Sequence, residues 1–133
     1  MNLCPTQYPG YYVSECGRVF RDPNKKIPGE KNISEKIEVT PWLRGGARTR
    51  QYHAVNISLR NSEGDTLKQK KVYVHRLIAE TFIDNPHKYS EVDHINRDKL
   101  CNKVDNLRWC DRLMNYHNSP AQHGTNGKFI KTT

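Results

Sequence analysis

The sequence predicts an α+β fold, with an N-terminal antiparallel β lobe, a linking helix and a C-terminal strand–loop–strand–helix unit. Three observations support it: apolar residues alternate in the first half, the period becomes helical near residue 74, and two short strands precede a final helix. A chain of 133 residues forms one modest domain or two small lobes sharing a junction. We expect a β lobe at residues 1–73, a helix and core at 74–118, and a flexible tail at 119–133.

The first hairpin of the lobe is predicted at residues 11–21. Aromatic and β-branched residues flank the turn signal Cys16-Gly17. Pro and Gly residues between lysines then indicate a solvated loop at residues 22–35, and a short strand is predicted at residues 37–39.

A second hairpin follows a basic, glycine-rich loop. Val55, Ile57 and Leu59 alternate with polar residues, which is typical of a half-buried strand. The turn at residues 61–65 reverses the chain into a return strand that ends at residues 72–74.

The helical period begins near the end of that strand. Val74, Leu77, Ile78 and Phe82 lie on one helical face, and Asn85-Pro86 should terminate the helix.

The C-terminal unit is predicted from shorter signals. Strands are expected at residues 91–94 and 107–110, joined by a polar loop through Asn106. Asp111 is a good N-cap for a final helix that runs to about Asn118.

Composition favours a polyanionic partner and a cytoplasmic location. The formal net charge is +8, which attracts nucleic acid. No apolar run is long enough for a membrane span, and the N-terminus lacks a signal-peptide pattern. The four cysteines form no C-x-x-C pair, so we expect free thiols, with a four-thiolate zinc site as the alternative. They are Cys4, Cys16, Cys101 and Cys110.

Residues 93–115 contain the side chains that phosphodiester hydrolysis needs: a base for water, and groups that hold a cation. Asp93 and His94 are adjacent, and Asn106 and Asn115 follow. Neighbouring strand residues point to opposite faces, so Asp93 and His94 converge only if the strand ends or bends there.

This order of residues resembles the HNH, or ββα-metal, endonucleases of phages and their introns, over roughly residues 72–118. The residues that carry the resemblance are Val74-His75-Arg76-Leu77-Ile78-Ala79, Val92-Asp93-His94-Ile95-Asn96, Asn102, Asn106-Leu107-Arg108-Trp109 and Asn115. The resemblance implies Asp93 and Asn115 as ligands of one divalent cation, Mg²⁺ or Mn²⁺. It implies His94 as general base and Asn106 as the residue that orients the histidine. It also implies double-stranded DNA as substrate and products with a 3′-hydroxyl and a 5′-phosphate.

A weaker resemblance lies upstream. Tyr12-Val13-Ser14 followed by Gly17-Arg18-Val19 is similar to the nuclease-associated modular domain that precedes HNH cores in homing endonucleases. The basic residues of this half are expected to contact the phosphates of the DNA backbone. Arg76 either reaches a phosphate or forms a salt bridge. The basic set is Arg18, Arg21, Lys25, Lys26, Arg44, Arg48 and Arg50.

Two other functions remain open from sequence: an HNH-like DNA-binding module without catalysis, and an RNA-binding accessory protein. The presence of the base and both implied ligands argues against the first. The second predicts exposed aromatic stacking platforms, for which the sequence gives no signal. We expect a monomer that nicks DNA, since one chain offers one site.

Overall fold

A computed structural model describes residues 2–45 and 51–118. Nine strands and two α-helices make up the described part of the chain. In chain order they are β1 (Leu3–Pro5), β2 (Tyr11–Ser14), β3 (Val19–Arg21), β4 (Ile37–Val39), β5 (Trp42–Arg44), β6 (Tyr52–Arg60), β7 (Thr66–Tyr73), α1 (Val74–Phe82), β8 (Glu91–His94), β9 (Leu107–Cys110) and α2 (Arg112–His117).

The strands form three antiparallel sheets. The first has the order β1-β2-β3-β4, the second β5-β6-β7, and the third pairs β8 with β9. In the third sheet Asp93 lies opposite Arg108 and His94 opposite Leu107. The catalytic segment expected from sequence therefore starts as a two-stranded ribbon, and α2 follows it directly.

One hydrophobic core joins the N-terminal sheets to the C-terminal unit. Val13 and Val19 of the first sheet and Ile57 of the second pack in the same cluster as Leu77 of α1 and Leu107 of β9. Burying such side chains removes apolar surface from water, the main favourable term in folding. The division into units at residues 1–73 and 74–118 stays a prediction. Residues of both ranges contribute to this cluster.

Polar contacts reinforce the junctions between elements. The hydroxyl of Tyr11 accepts a hydrogen bond from the backbone amide of Ser58 at 2.9 Å, linking the first two sheets. The indole of Trp109 donates to the carbonyl of Ile83 at 3.0 Å, linking β9 to the end of α1. Trp109 also packs against the core, as its apolar body requires.

The α+β prediction is confirmed, and so are both hairpins, α1 and the strands at 91–94 and 107–110. Two three-residue strands, β1 and β5, were not predicted, because their sequences Leu-Cys-Pro and Trp-Leu-Arg lack the apolar–polar–apolar alternation that predicted the equally short β4. The helix α1 ends at Phe82, three residues before Asn85-Pro86. The predicted tail at 119–133 lies outside the described residues.

The cysteines do not gather into a metal site. Burial raises the pKa of the Cys110 thiol to about 11, so this group is protonated at neutral pH. Within residues 2–45 and 51–118, no cluster of three or more His, Cys, Asp or Glu side chains could hold an ion, which removes the four-thiolate alternative. Among the same residues, no helix is both long and apolar enough to cross a membrane.

Candidate active site

Asp93 and His94 occupy the end of β8, where the strand stops in a tight turn. The backbone amide of Arg97 donates to the carbonyl of His94 at 2.8 Å. Arg97 adopts a left-handed φ of 66°, which closes the turn. Because the strand ends here, the two neighbouring side chains both line one cavity, as their proposed chemistry requires. Both residues are buried.

The ring of His94 is held by a neighbouring amide and by aromatic packing. Its Nε2 lies 2.9 Å from Oδ1 of Asn102. The ring of His75 packs beside it at 4.9 Å between centroids, and Tyr52 stacks on His75 at 5.2 Å. Burial lowers the pKa of His94 below 6.5, outweighing the opposite effect of Asn102 and nearby carboxylates. The imidazole is therefore neutral at pH 7 and able to accept a proton.

The carboxylate of Asp93 is held from two sides. Its Oδ2 accepts from Nε of Arg108 at 3.0 Å and from Nδ2 of Asn118 at 2.8 Å. The same amide of Asn118 also donates to the carbonyl of His94 at 3.0 Å. Asn118 therefore ties the end of α2 to both residues of the Asp-His pair.

Asn115 is brought to the cavity by α2. Asp111 caps this helix, because its side chain accepts from the backbone amide of Met114 at 2.8 Å. Nδ2 of Asn115 donates to Oε1 of Glu91 at 2.8 Å. An amide that donates through its nitrogen presents its oxygen elsewhere, and a cation binds the oxygen.

The side chain of Asn106 contacts the loop backbone and not the histidine ring. Its Oδ1 accepts from the amide of Asn96 at 3.0 Å, and its Nδ2 donates to the carbonyl of Cys101 at 2.9 Å. The carbonyl of Asn106 accepts from the amide of Ile95 at 2.8 Å. Any effect on His94 therefore passes through the backbone that follows it, and the amide on the ring belongs to Asn102.

Of the predicted site residues, Asp93, His94 and Asn115 line one open cavity of about 840 Å³, whereas Asn106 is not part of its lining. Acidic and amide groups line one part of it, while three basic residues and two tyrosines complete the wall. A cavity with both signs of charge suits a cation and a phosphodiester together. The lining residues are Tyr52, Glu91, Val92, Asp93, His94, Arg97, Lys99, Arg112, Asn115, Tyr116 and Asn118.

The donor set fits a hard divalent cation. Glu91 and Asp93 are carboxylates two positions apart on β8, hence on the same face, and Asn115 supplies an amide. Mg²⁺ prefers oxygen ligands, takes one or two carboxylates and keeps several waters. Two or three protein oxygens at an open cavity match that preference.

Sequence reasoning named four central residues and missed several of their partners. Asn102 was part of the HNH-like pattern but was given no role, and Glu91 and Asn118 were not singled out. The basic cavity residues Arg97 and Lys99 were also missed. The signal for the last two was present, since both lie within five residues of His94 in a polar loop.

The predicted DNA-binding arginines lie in different surroundings. Arg18 pairs with Glu38, and Arg21 pairs with Glu30. Arg76 donates to the carbonyl of Ser90 at 2.8 Å and lies over the ring of Trp109, so it has a structural contact. Arg44 is exposed at the end of β5, and Arg48 and Arg50 lie outside the described residues.

The family model of the HNH endonuclease matches residues 72–116. Residues 72–116 are therefore similar to the HNH endonucleases. The matched range contains α1, β8, β9 and most of α2, and therefore the whole Asp-His-Asn-Asn set. The HNH resemblance drawn from sequence is confirmed.

Two relatives come from Acanthamoeba polyphaga mimivirus. The protein named Uncharacterized HNH endonuclease L245 is 32% identical over 105 residues, covering 79% of this chain and 26% of its own length. The protein named Uncharacterized HNH endonuclease L247 is 32% identical over 125 residues, covering 92% of this chain and 25% of its own. The chain thus spans about a quarter of each relative's length.

The structural likeness to a known protein extends beyond the matched segment. A similar solved structure is that of the HNH homing endonuclease I-HmuI, which describes DNA binding and cleavage by that enzyme. It superposes on this chain with a TM-score of 0.65. The match has 24% sequence identity and covers 98% of this chain and 66% of that one. The N-terminal sheets therefore share the fold of that protein as well as the HNH unit.

Proposed function

We propose that this chain is a metal-dependent HNH DNA endonuclease of the homing type that nicks double-stranded DNA. The observation that carries this proposal is the position of His94, which is buried and neutral at pH 7. It lies beside Asp93 in a cavity that Asn115 also lines. The HNH family match and the fold shared with a homing endonuclease support the same proposal. We further propose that the protein is monomeric and acts in the cytoplasm, as expected from its sequence.

In the proposed reaction, His94 takes a proton from water as the water oxygen bonds to phosphorus. The bond from phosphorus to the 3′-oxygen breaks, that oxygen gains a proton, and the products carry a 3′-hydroxyl and a 5′-phosphate. Asp93 and Asn115 would hold one divalent cation, Mg²⁺ or Mn²⁺. When bound, it supplies positive charge against the charge that builds on the phosphate.

The basic residues of the cavity have a separate role. Three basic residues line the same cavity as His94 and, in the proposed reaction, hold the phosphate of the cleaved strand. They are Arg97, Lys99 and Arg112. Arg18, Arg21 and Arg44 of the N-terminal sheets contribute contacts to flanking phosphates, with Arg18 and Arg21 exchanging their glutamate partners for DNA. These contacts give affinity without reading sequence.

The first test is cleavage of supercoiled plasmid with and without Mg²⁺ or Mn²⁺, using wild type and His94→Ala. We expect metal-dependent cleavage by wild type and a loss of about 10²–10⁴ in kcat for the variant, because only the chemical step loses its base. DNA affinity should change little. The exposed His87, replaced by Ala, is the matched control.

Near-normal turnover by His94→Ala would overturn the assignment of the base. Tight DNA binding by wild type without cleavage in either metal would instead favour a catalytically silent HNH-fold module.

A further inference from the structure

Asn102 is the one side-chain amide placed directly on the ring of His94 within the described residues. It lies in the loop between β8 and β9, only 6% exposed, with Oδ1 at 2.9 Å from Nε2 of His94. A buried amide in this position is costly unless hydrogen-bonded, so the contact fixes both partners.

This contact sets which ring nitrogen carries the proton. A neutral imidazole has one donor and one acceptor nitrogen. An amide oxygen accepts hydrogen bonds and cannot donate, so Nε2 of His94 carries the proton. Nδ1 then keeps a lone pair, which is what a general base needs.

The turn between β2 and β3 packs against Asn102. Gly17 has a φ of +93°, and a Cβ atom there would lie 2.8 Å from the carbonyl oxygen of Asn102 and 2.9 Å from its carbonyl carbon. The backbone amide of Val104 donates to the carbonyl of Glu15 at 2.9 Å. The turn is closed internally, since the amide of Gly17 donates to the carbonyl of Ser14 at 3.0 Å.

We propose that Asn102 is a positioning residue that holds His94 with its proton on Nε2, and that the Ser14–Arg18 turn holds Asn102 in place. The N-terminal sheets thereby complete the active site of the C-terminal unit without touching the reacting atoms. The contribution of Asn102 to activity rests on the proposed function, whereas the position of the ring proton is a property of the chain alone.

The ring proton is observed by long-range ¹H–¹⁵N NMR of the full chain, without metal or DNA, at a pH where His94 is neutral. Protonated and unprotonated ring nitrogens resonate far apart, and the spectrum of His94→Ala assigns the signal among the six histidines. We expect wild type and Asn102→Asp, which keeps an acceptor oxygen, to carry the proton on Nε2. Asn102→Ala should populate both tautomers.

The same variants are then compared in plasmid cleavage. Asn102→Ala should lower kcat about 10–100-fold, less than the roughly 10²–10⁴ expected for loss of the base itself, with KM and DNA affinity nearly unchanged. Asn102→Asp should recover part of the loss. Asn56→Ala changes an exposed amide of β6 and is the control.

The turn is tested by Gly17→Ala against Gly29→Ala. Both glycines have positive φ, +93° and +92°, so both variants carry similar backbone strain, but a Cβ at Gly29 meets nothing within 4 Å. Only Gly17→Ala should shift the ring signals of His94 and lower kcat.

A wild-type proton on Nδ1, or unchanged ring signals and kcat in Asn102→Ala, would overturn the role of Asn102. Equal behaviour of Gly17→Ala and Gly29→Ala would overturn the role of the turn. Absence of cleavage by wild type with the proton on Nε2 would contradict the proposed function alone.

Discussion

Glu91 orients a residue that we assign to the cation. It lies two positions before Asp93 on the same face of β8, and its Oε1 accepts the amide hydrogen of Asn115. Without that acceptor, the orientation of the Asn115 amide is no longer fixed by this hydrogen bond. Glu91 also adds a second negative charge near the proposed cation.

We therefore predict that Glu91→Ala weakens metal binding about 10–100-fold, the range typical of outer partners of metal ligands. Glu91→Gln keeps an acceptor and should show a smaller loss. Calorimetric Mn²⁺ titration measures this directly, and the Mg²⁺ dependence of cleavage provides a second readout. Glu63→Ala, in the exposed turn after β6, is the control; an equal Mn²⁺ affinity in Glu91→Ala and this control would contradict the role.

His75 makes the stability of the fold depend on pH. Burial, helped by the nearby His94 and Arg76, lowers its pKa from 6.5 to about 3. Its Nδ1 is buried, with no hydrogen-bond partner among the described residues. Between these two pH values the unfolded chain binds a proton that the folded chain does not, so stability falls as pH drops from 6.5 towards 3.

Replacing His75 with Phe keeps the ring contact with Tyr52 and removes the titration. The slope of unfolding free energy against pH should fall by up to about 1.4 kcal/mol per pH unit, the value for one proton. Urea unfolding at several pH values below 6.5 measures the slope. His87→Phe, at an exposed site, is the control, and equal slopes in His75→Phe and wild type would contradict the prediction.

The sequence pattern named the proposed site residues but not their hydrogen-bond partners, for a physical reason. Asp93, His94, Asn106 and Asn115 follow one another in a short segment, so their order is a local pattern. The contact between Asn102 and the turn at Gly17 joins residues far apart in the chain. Nothing in the spacing of a loop asparagine indicates which of several polar groups it will meet.

At the scale of elements, strands with a local sequence pattern were predicted, whereas strands that depend on contacts with distant residues were missed. The strand pair β8–β9 was predicted at its observed bounds, because polar segments with clear turn signals flank it. The three-residue strands β1 and β5 are defined by pairing with β2 and β6, which is a tertiary property. Short strands of this kind acquire their structure from their neighbours.

The helix α2 depends on its N-cap residue, Asp111, more than a longer helix would. It spans six residues, Arg112–His117, and short helices are marginal without caps or packing. The side chain of Asp111 satisfies one of its unpaired backbone amides. Asn115 and Asn118, which contact Glu91 and Asp93, both depend on this helix or its end.

Asp111→Ala should remove about 1 kcal/mol of stabilisation from this helix, as capping substitutions usually do. Because α2 contributes no buried residue, the loss should appear as faster amide hydrogen exchange in α2 rather than as global unfolding. Metal affinity should fall with it, since Asn115 moves with the helix. Asp84→Ala, at an exposed site after α1, is the control, and unchanged exchange in Asp111→Ala would contradict a capping role.

For the whole molecule, one core supports both the basic N-terminal sheets and the HNH unit. The shared cluster and the packing of the Ser14–Arg18 turn on the HNH loop keep them in one arrangement. In the function that we propose, the net charge of +8 attracts the DNA backbone to a surface that is fixed relative to the cavity. Phosphate contacts of this kind position the scissile bond but carry little sequence information.

We predict that the chain converts supercoiled plasmid first to open circle, with linear DNA appearing later through independent nicks. One chain offers one base and one proposed cation site, and one site against one phosphate breaks one strand per engagement. A time course on agarose gels separates the three plasmid forms. Variants of His94 provide the inactive control.

The same assay at increasing salt tests how the DNA is held. A protein with about 6–10 phosphate contacts loses roughly 10³–10⁵ in affinity between 50 and 200 mM salt, so binding here should fall steeply. Nick positions should be loosely specified, because the N-terminal arginines contact phosphates in our proposal. Simultaneous cuts of both strands at one sharp site would instead require two facing active sites, and therefore a dimer, while leaving the chemistry of His94 intact.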